Sequence, residues 1–199
     1  DNYILCNGAA AFLAHQQVYK KLLDEEQLKA FVAEANGLGI DTAFVGMDTA
    51  KRASSLNIRI MDEAMRSFGA QVPELDIDFP EEKEVYQALA FYGENYEGYF
   101  DDRYSKLRFV RWHENSVDVV PKDGSKAATI LSVAQQLGIS RENVVCFGDG
   151  ENDREMLQAA GVGVAMGNAA PEIQAVADKV TTSNDDDGIW QALKELDLI

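Results

Sequence analysis

The spacing of apolar positions changes character along the chain. Tyr3-Ile-Leu-Cys6 reads as a strand already under way, Asn7-Gly8 supplies a turn, and Ala9 to Leu13 forms a second short apolar segment. Beyond Val18 the period lengthens. Asp24 is placed to cap a helix with Gln27 at its third position, and Leu28, Phe31, Val32 and Ala35 fall on one face before Gly37 closes it. Thr42 to Gly46 predicts a strand. A second helix is predicted over Ile58 to Phe68, with Ile58, Met61, Met65 and Phe68 on one stripe and Gly69 as the stop. Pro73 to Glu84 is acidic and irregular, Val85 to Tyr92 predicts a strand, and Glu94 to Asp102 a short helix. Lys106 to Trp112 and Ser116 to Val120 read as strands joined by a turn at Glu114-Asn115. Residues 18–113 therefore form a mixed α+β unit with much antiparallel character.

The last third is more regular. Ser125 can cap a helix in which Ala127, Ile130, Leu131, Ala134 and Leu137 keep the i, i+3, i+4, i+7 rule, with Gly138 closing it. Strands at Val144–Phe147, Val162–Met166 and Lys179–Thr182 then alternate with helices at Arg154–Ala160, Pro171–Ala177 and Gly188–Leu196, the last with Ile189, Trp190, Leu193 and Leu196 inward. Short strands alternating with short helices imply crossover connections and a doubly wound parallel sheet, so the fold class is α/β with an α+β insertion. Ligands of such sheets bind beyond the carboxyl ends of the strands. The stretch Gly148-Asp-Gly-Glu-Asn-Asp153 occupies such a position.

Composition narrows the function. An apolar content of 46% with 26% charged residues is that of a globular protein. The formal charge of −16 argues against a nucleic-acid partner, which needs a basic face. A small phosphorylated ligand is not excluded by it, because a bound divalent cation and one or two cationic side chains reverse the field locally. No apolar run approaches a membrane span and the first residues show no signal-peptide pattern, so the expectation is a soluble, cytoplasmic protein with no membrane partner. Cys6 and Cys146 both sit in apolar runs and read as buried free thiols.

Lys126 at a helix start, the loop Gly148–Asp153 after a strand, Val164-Ala-Met-Gly-Asn-Ala169 one unit later and Ser183-Asn-Asp-Asp-Asp-Gly188 occur in that order. Together they resemble the haloacid dehalogenase (HAD) superfamily, and within it the Cof-type, class IIB sugar-phosphate phosphatases. Asn7-Gly-Ala9 is similar to the turn that precedes the cap insertion of that class. The resemblance is dense over 114–199, short over 3–9 and only architectural between. It implies a HAD core from residues 1–14 and 114–199, with a cap domain over 15–113. It also implies a Mg²⁺-dependent phosphatase of small phosphorylated metabolites, sugar phosphates foremost, that works through a phosphoaspartyl intermediate. Asp149 and Asp153 would serve the metal, the latter directly or at one remove. Lys126 would neutralise the phosphoryl oxygens and Asn152 would donate an amide hydrogen bond to the phosphate.

The chemistry suits these residue types, since Mg²⁺ takes oxygen ligands and a lysine at a helix start faces developing negative charge. One departure matters. The family's nucleophile stands in an Asp-x-Asp-Gly-Thr-like motif, and the chain has no such motif. Asp76-Ile-Asp78 has the spacing but is followed by Phe79-Pro80, and Asp185-Asp-Asp187 falls in the closing loop. The expectation is a C-terminal part of a longer phosphatase that is itself inactive, holds Mg²⁺ weakly or not at all and exposes a sheet edge open to self-association. A non-catalytic phosphate- and cation-binding module is the first rival. The phosphorylation domain of a cation-pumping ATPase, with a similar hinge loop, is the second. His15 and His113 lack metal-ligand spacing, and the glycines of Gly161-Val-Gly-Val-Ala-Met-Gly167 flank a strand instead of following one, which argues against a dinucleotide loop.

Overall fold

The computed structural model describes residues 2–199. The chain divides into two compact units, one running through Gly124 and the other from Ser125 onward.

The first unit opens with β1 (Tyr3–Leu5), β2 (Ala10–Leu13) and β3 (Gln16–Lys20), an antiparallel three-stranded sheet in that order. Then come α1 (Glu25–Gly37), β4 (Asp41–Val45), β5 (Ala50–Arg52), α2 (Ile58–Ser67), β6 (Glu74–Leu75), α3 (Phe79–Glu82), β7 (Gln87–Phe91), β8 (Leu107–His113) and β9 (Ser116–Pro121). Its six strands build a second sheet in the order β6-β5-β4-β7-β9-β8, antiparallel except between β5 and β6. Successive strand residues point to opposite faces, and in this sheet both faces are covered. Phe44, Ala88, Ala90, Val117 and Val119 pack against Leu28, Phe31 and Ala35 of α1. Ala43, Leu89 and Phe91 pack against Met61, Ala64 and Met65 of α2. Asp24 caps α1 as the sequence predicts, its carboxylate accepting from the Gln27 amide at 3.0 Å.

Several expectations need correction here. The boundary at 113/114 falls in the turn between β8 and β9, and β9 is an inner strand hydrogen-bonded to both β7 and β8, so Ser116–Pro121 belongs to the first unit. Residues 3–13 supply β1 and β2, which join β3 in a sheet of their own. The Asn7 amide donates to Gln87 at 3.0 Å and Asp118 at 2.7 Å, which fixes this stretch to β7 and β9. Glu94–Asp102 is a 3-10 turn at Glu94–Tyr96 followed by further turns, not a helix; Phe100 pins it by packing edge-on against Phe31 at 5.1 Å. Phe68 is 56% exposed and lies edge-on to Trp112, outside the buried stripe.

The second unit contains α4 (Lys126–Gln136), β10 (Val145–Gly148), α5 (Arg154–Ala159), β11 (Val162–Ala165), α6 (Pro171–Gln174), β12 (Lys179–Val180) and α7 (Gly188–Glu195). The strands form a parallel sheet in the order β10-β11-β12, the mixed α/β arrangement that the alternating pattern predicts. Leu157, Ala165, Ala169 and Ile173 form its core. Gly188 and Ala192, not Ile189 or Trp190, are the buried residues of α7; Trp190 is exposed beneath the Lys194 ammonium at 4.0 Å. Leu137 is likewise exposed, beyond the last turn of α4.

Ser125 caps α4 by accepting from the Ala128 amide at 3.3 Å while donating to Glu155 at 2.8 Å. Ser125→Ala is expected to destabilise the protein by about 1 kcal/mol, the usual loss of an N-cap. Equilibrium denaturation in urea measures it, and an unchanged midpoint would show that the cap contributes nothing.

Candidate active site

The sequence-predicted loop leaves the carboxyl end of β10 at Gly148 and folds tightly back on itself. A Cβ at Gly148 would stand 2.5 Å from Cβ of Asp153, so only glycine lets the Asp153 side chain tuck beneath the strand end. The Asp153 amide donates to the Gly150 carbonyl at 3.0 Å, and its Oδ2 accepts from the amides of Asp149 and Gly150, each at 3.1 Å. The remaining oxygen, Oδ1, accepts from Nζ of Lys126 at 2.8 Å. Asp153 is buried and each of its oxygens is engaged. It therefore shapes the loop and aims the lysine.

Lys126 is the first residue of α4, where the helix dipole disfavours a cation. The Asp153 carboxylate offsets that cost and holds an ammonium, with 24% of its side chain exposed, over the loop. Asn152 lies on the same turn, its carboxamide against Gly150, where a Cβ would come within 2.7 Å of Oδ1. Glu151 is drawn off by Arg154, whose Nε donates to it at 2.7 Å.

Asp149 differs from Asp153 in every respect that bears on ligand binding. It is exposed at the loop tip, and its carboxylate takes one hydrogen bond, to Oδ2 from the Asn168 amide at 2.8 Å. Oδ1 accepts nothing among the described residues. Those residues contain no group of three or more His, Cys, Asp or Glu side chains that could hold a metal ion. A single exposed carboxylate with one uncommitted oxygen does fit Mg²⁺, which keeps several waters and takes only one or two protein carboxylates. Lys126, Asp149, Asn152 and Asp153 are thus gathered at one strand end, while His15 and His113 lie in the first unit. Asn168 is the participant that sequence reasoning left without a role. Its motif was visible in Met166-Gly-Asn-Ala169, but no local pattern indicates that its amide crosses to Asp149.

Both cysteines are free, Cys146 buried and Cys6 only half-buried, which corrects the expectation for the latter. Burial raises both thiol pKa values, reinforced at Cys146 by the negative charge of Asp153 and at Cys6 by that of Asp118. Among the described residues no helix is long and apolar enough to cross a membrane.

A strand-end Gly-Asp loop with a lysine presented from the preceding helix is an arrangement that suits a hydrolase of the α/β type. The chain belongs to the haloacid dehalogenase-like hydrolases, whose family model it matches over residues 1–193. It is 36% identical over 198 residues to the protein YkrA of Bacillus subtilis (strain 168), spanning 100% of this chain and 76% of that one. The solved structure of a hypothetical protein from Geobacillus kaustophilus HTA426 aligns with a TM-score of 0.84 at 39% identity, over 97% of this chain and 75% of that one. The HAD subclass IIB sugar phosphatase BT4131 aligns with a TM-score of 0.89 at 31% identity, over 100% and 76%. The chain thus spans about three quarters of these relatives.

Proposed function

We propose that this chain is the larger part of a Mg²⁺-dependent phosphatase acting on small phosphorylated metabolites, sugar phosphates foremost. The observation that carries the reading is the division of labour between two carboxylates four residues apart. Asp153 is buried and commits its oxygens to the loop amides and Lys126, whereas Asp149 is exposed with an uncommitted oxygen. That is a rigid mount for one cation of the protein and a landing point for one from solution.

In this reading Asp149 holds the metal directly and Asp153 serves it at one remove, through the loop. Mg²⁺, when bound, supplies positive charge against the phosphoryl oxygens. Lys126 provides a second, fixed positive charge as negative charge develops on the same group, and Asn152 orients the phosphate with its amide. The nucleophilic aspartate of the phosphoaspartyl route is proposed to lie outside residues 1–199. The preference for sugar phosphates draws support from the likeness to a subclass IIB sugar phosphatase.

The test is to express the full reading frame and follow phosphate release from p-nitrophenyl phosphate and from a panel of hexose and pentose phosphates. Turnover is expected to vanish in excess EDTA and return with Mg²⁺. Activity that survives exhaustive chelation, or a full-length protein that hydrolyses none of these esters, would overturn the proposal.

A further inference from the structure

We infer that Asn168, oriented by the backbone amide of Asn184, is a positioning residue that fixes the rotamer of Asp149 and couples the closing loop 183–187 to the cation end of the site. The inference rests on the reading of Asp149 as a metal ligand.

Asp149 is exposed at a loop tip, and an exposed aspartate samples several rotamers unless something holds it. The only hydrogen bond to its carboxylate among the described residues comes from Nδ2 of Asn168 at 2.8 Å. The other end of that carboxamide, Oδ1, accepts from the Asn184 amide at 3.2 Å. The orientation of the carboxamide follows from the chemistry of its two neighbours. A backbone N–H only donates and an ionised carboxylate only accepts, so the oxygen must face Asn184 and the nitrogen Asp149.

The backbone that carries Asn168 is held from two sides. Gln174 donates to the carbonyls of Gly167 at 3.2 Å and Ala169 at 2.9 Å. On the other side Gly167 donates to the Thr182 carbonyl at 3.0 Å, and a Cβ there would stand 2.8 Å from the Ser183 nitrogen. The closing loop is in turn cross-braced, since Thr182 donates to the Asp186 carbonyl at 2.9 Å and Ser183 to the Asp186 carboxylate at 2.7 Å. A rigid loop thus sets the Asn184 amide, the amide sets Asn168, and Asn168 takes Oδ2 of Asp149 while leaving Oδ1 for a cation. Residues that orient a metal ligand in this way are worth about 10–100-fold in metal affinity.

The experiment measures Mn²⁺ binding to the full-length protein by the loss of the free-ion EPR signal, alongside thermal unfolding and the substrate KM at saturating Mg²⁺. Asn168→Ala is expected to weaken Mn²⁺ binding about 10–100-fold with KM unchanged. Its melting temperature should stay within about 2 °C of the wild type, as suits an exposed side chain. Asn168→Ser, which cannot span the gap but stays polar, should do the same and answers the question if the alanine variant does not fold. Mn²⁺ affinity within about twofold of wild type in a folded variant would overturn the inference, because a staple for the loop alone moves stability and not affinity. Asp149→Ala separates the two levels of argument. If it loses Mn²⁺ while Asn168→Ala keeps it, only the positioning role fails; if Asp149→Ala binds as tightly as wild type, the reading of Asp149 fails and the inference with it.

Discussion

Lys126→Met in the full-length enzyme is expected to lower kcat by about 10²–10³-fold, the usual consequence of removing one preorganised charge from a developing oxyanion. Methionine keeps much of the length and apolar stem of lysine and is equally at home in a helix, so the change isolates the charge. The position itself argues that the charge is functional. A cation in the first turn opposes the helix dipole, and a helix selected for stability alone would place an acidic or neutral residue there. The chain instead devotes a buried carboxylate, Asp153, to holding the ammonium at 2.8 Å. Removing the lysine leaves Asp153 with its two backbone donors, Asp149 N and Gly150 N, so the loop should survive. The lost charge-assisted bond is expected to cost no more than about 1–3 kcal/mol of stability. Steady-state kinetics and a denaturation curve on one preparation separate the two effects. Turnover within about threefold of wild type would remove Lys126 from the catalytic machinery, since so small a change is under about 1 kcal/mol of transition-state binding.

How far the sequence could be read depended on whether one residue's environment is local. The α1 cap at Asp24 and the apolar stripe of Leu28, Phe31 and Ala35 needed only helical geometry, and they stand where the pattern puts them. The loop Gly148–Asp153 was legible for the same reason, because its glycine and carboxylates interact within six residues. What escaped was non-local. β3 and β5 are short and polar, and are strands because β2 and β4 offer partners, not because Gln16–Lys20 or Ala50–Arg52 alternate strongly. Residues 94–102 are aromatic and turn-rich, and their shape is set by Phe100 against Phe31 far away in sequence. Trp190 fits an inward stripe on a helical wheel, yet α7 buries only the small residues Gly188 and Ala192. Asn168 and Asp149 lie 19 residues apart, so the pairing could not be read from either motif alone.

Gly163→Ala is expected to destabilise the protein by about 3 kcal/mol or more, near the upper end for a single methyl group. Gly163 lies in β11, where backbone torsions would accept alanine, so the predicted cost is steric. An added Cβ would stand 2.1 Å from the Leu157 carbonyl oxygen and 2.8 Å from its carbon, and both atoms belong to α5 backbone that cannot rotate away. Nor can the strand retreat. Gly163 pairs with Cys146 of β10, its amide donates to Asp178 at 2.8 Å, and its carbonyl accepts from the Asp178 amide at 2.9 Å. The remaining freedom is to push α5 off the sheet, and Asp153 immediately precedes that helix. Displacing α5 would therefore drag the carboxylate away from Lys126 and from the amides of Asp149 and Gly150, so activity should fail together with stability. Gly138→Ala is the matched control. Gly138 has φ of +72° and open space for 4 Å around the point where a methyl group would sit, so alanine there should cost only the left-handed strain of about 1–2 kcal/mol and leave kcat untouched. Urea denaturation and phosphate release on the two full-length variants decide the matter. If Gly163→Ala is as stable as Gly138→Ala, then α5 is not seated on β11 as closely as the geometry requires, and the mount proposed for Asp153 loses its support.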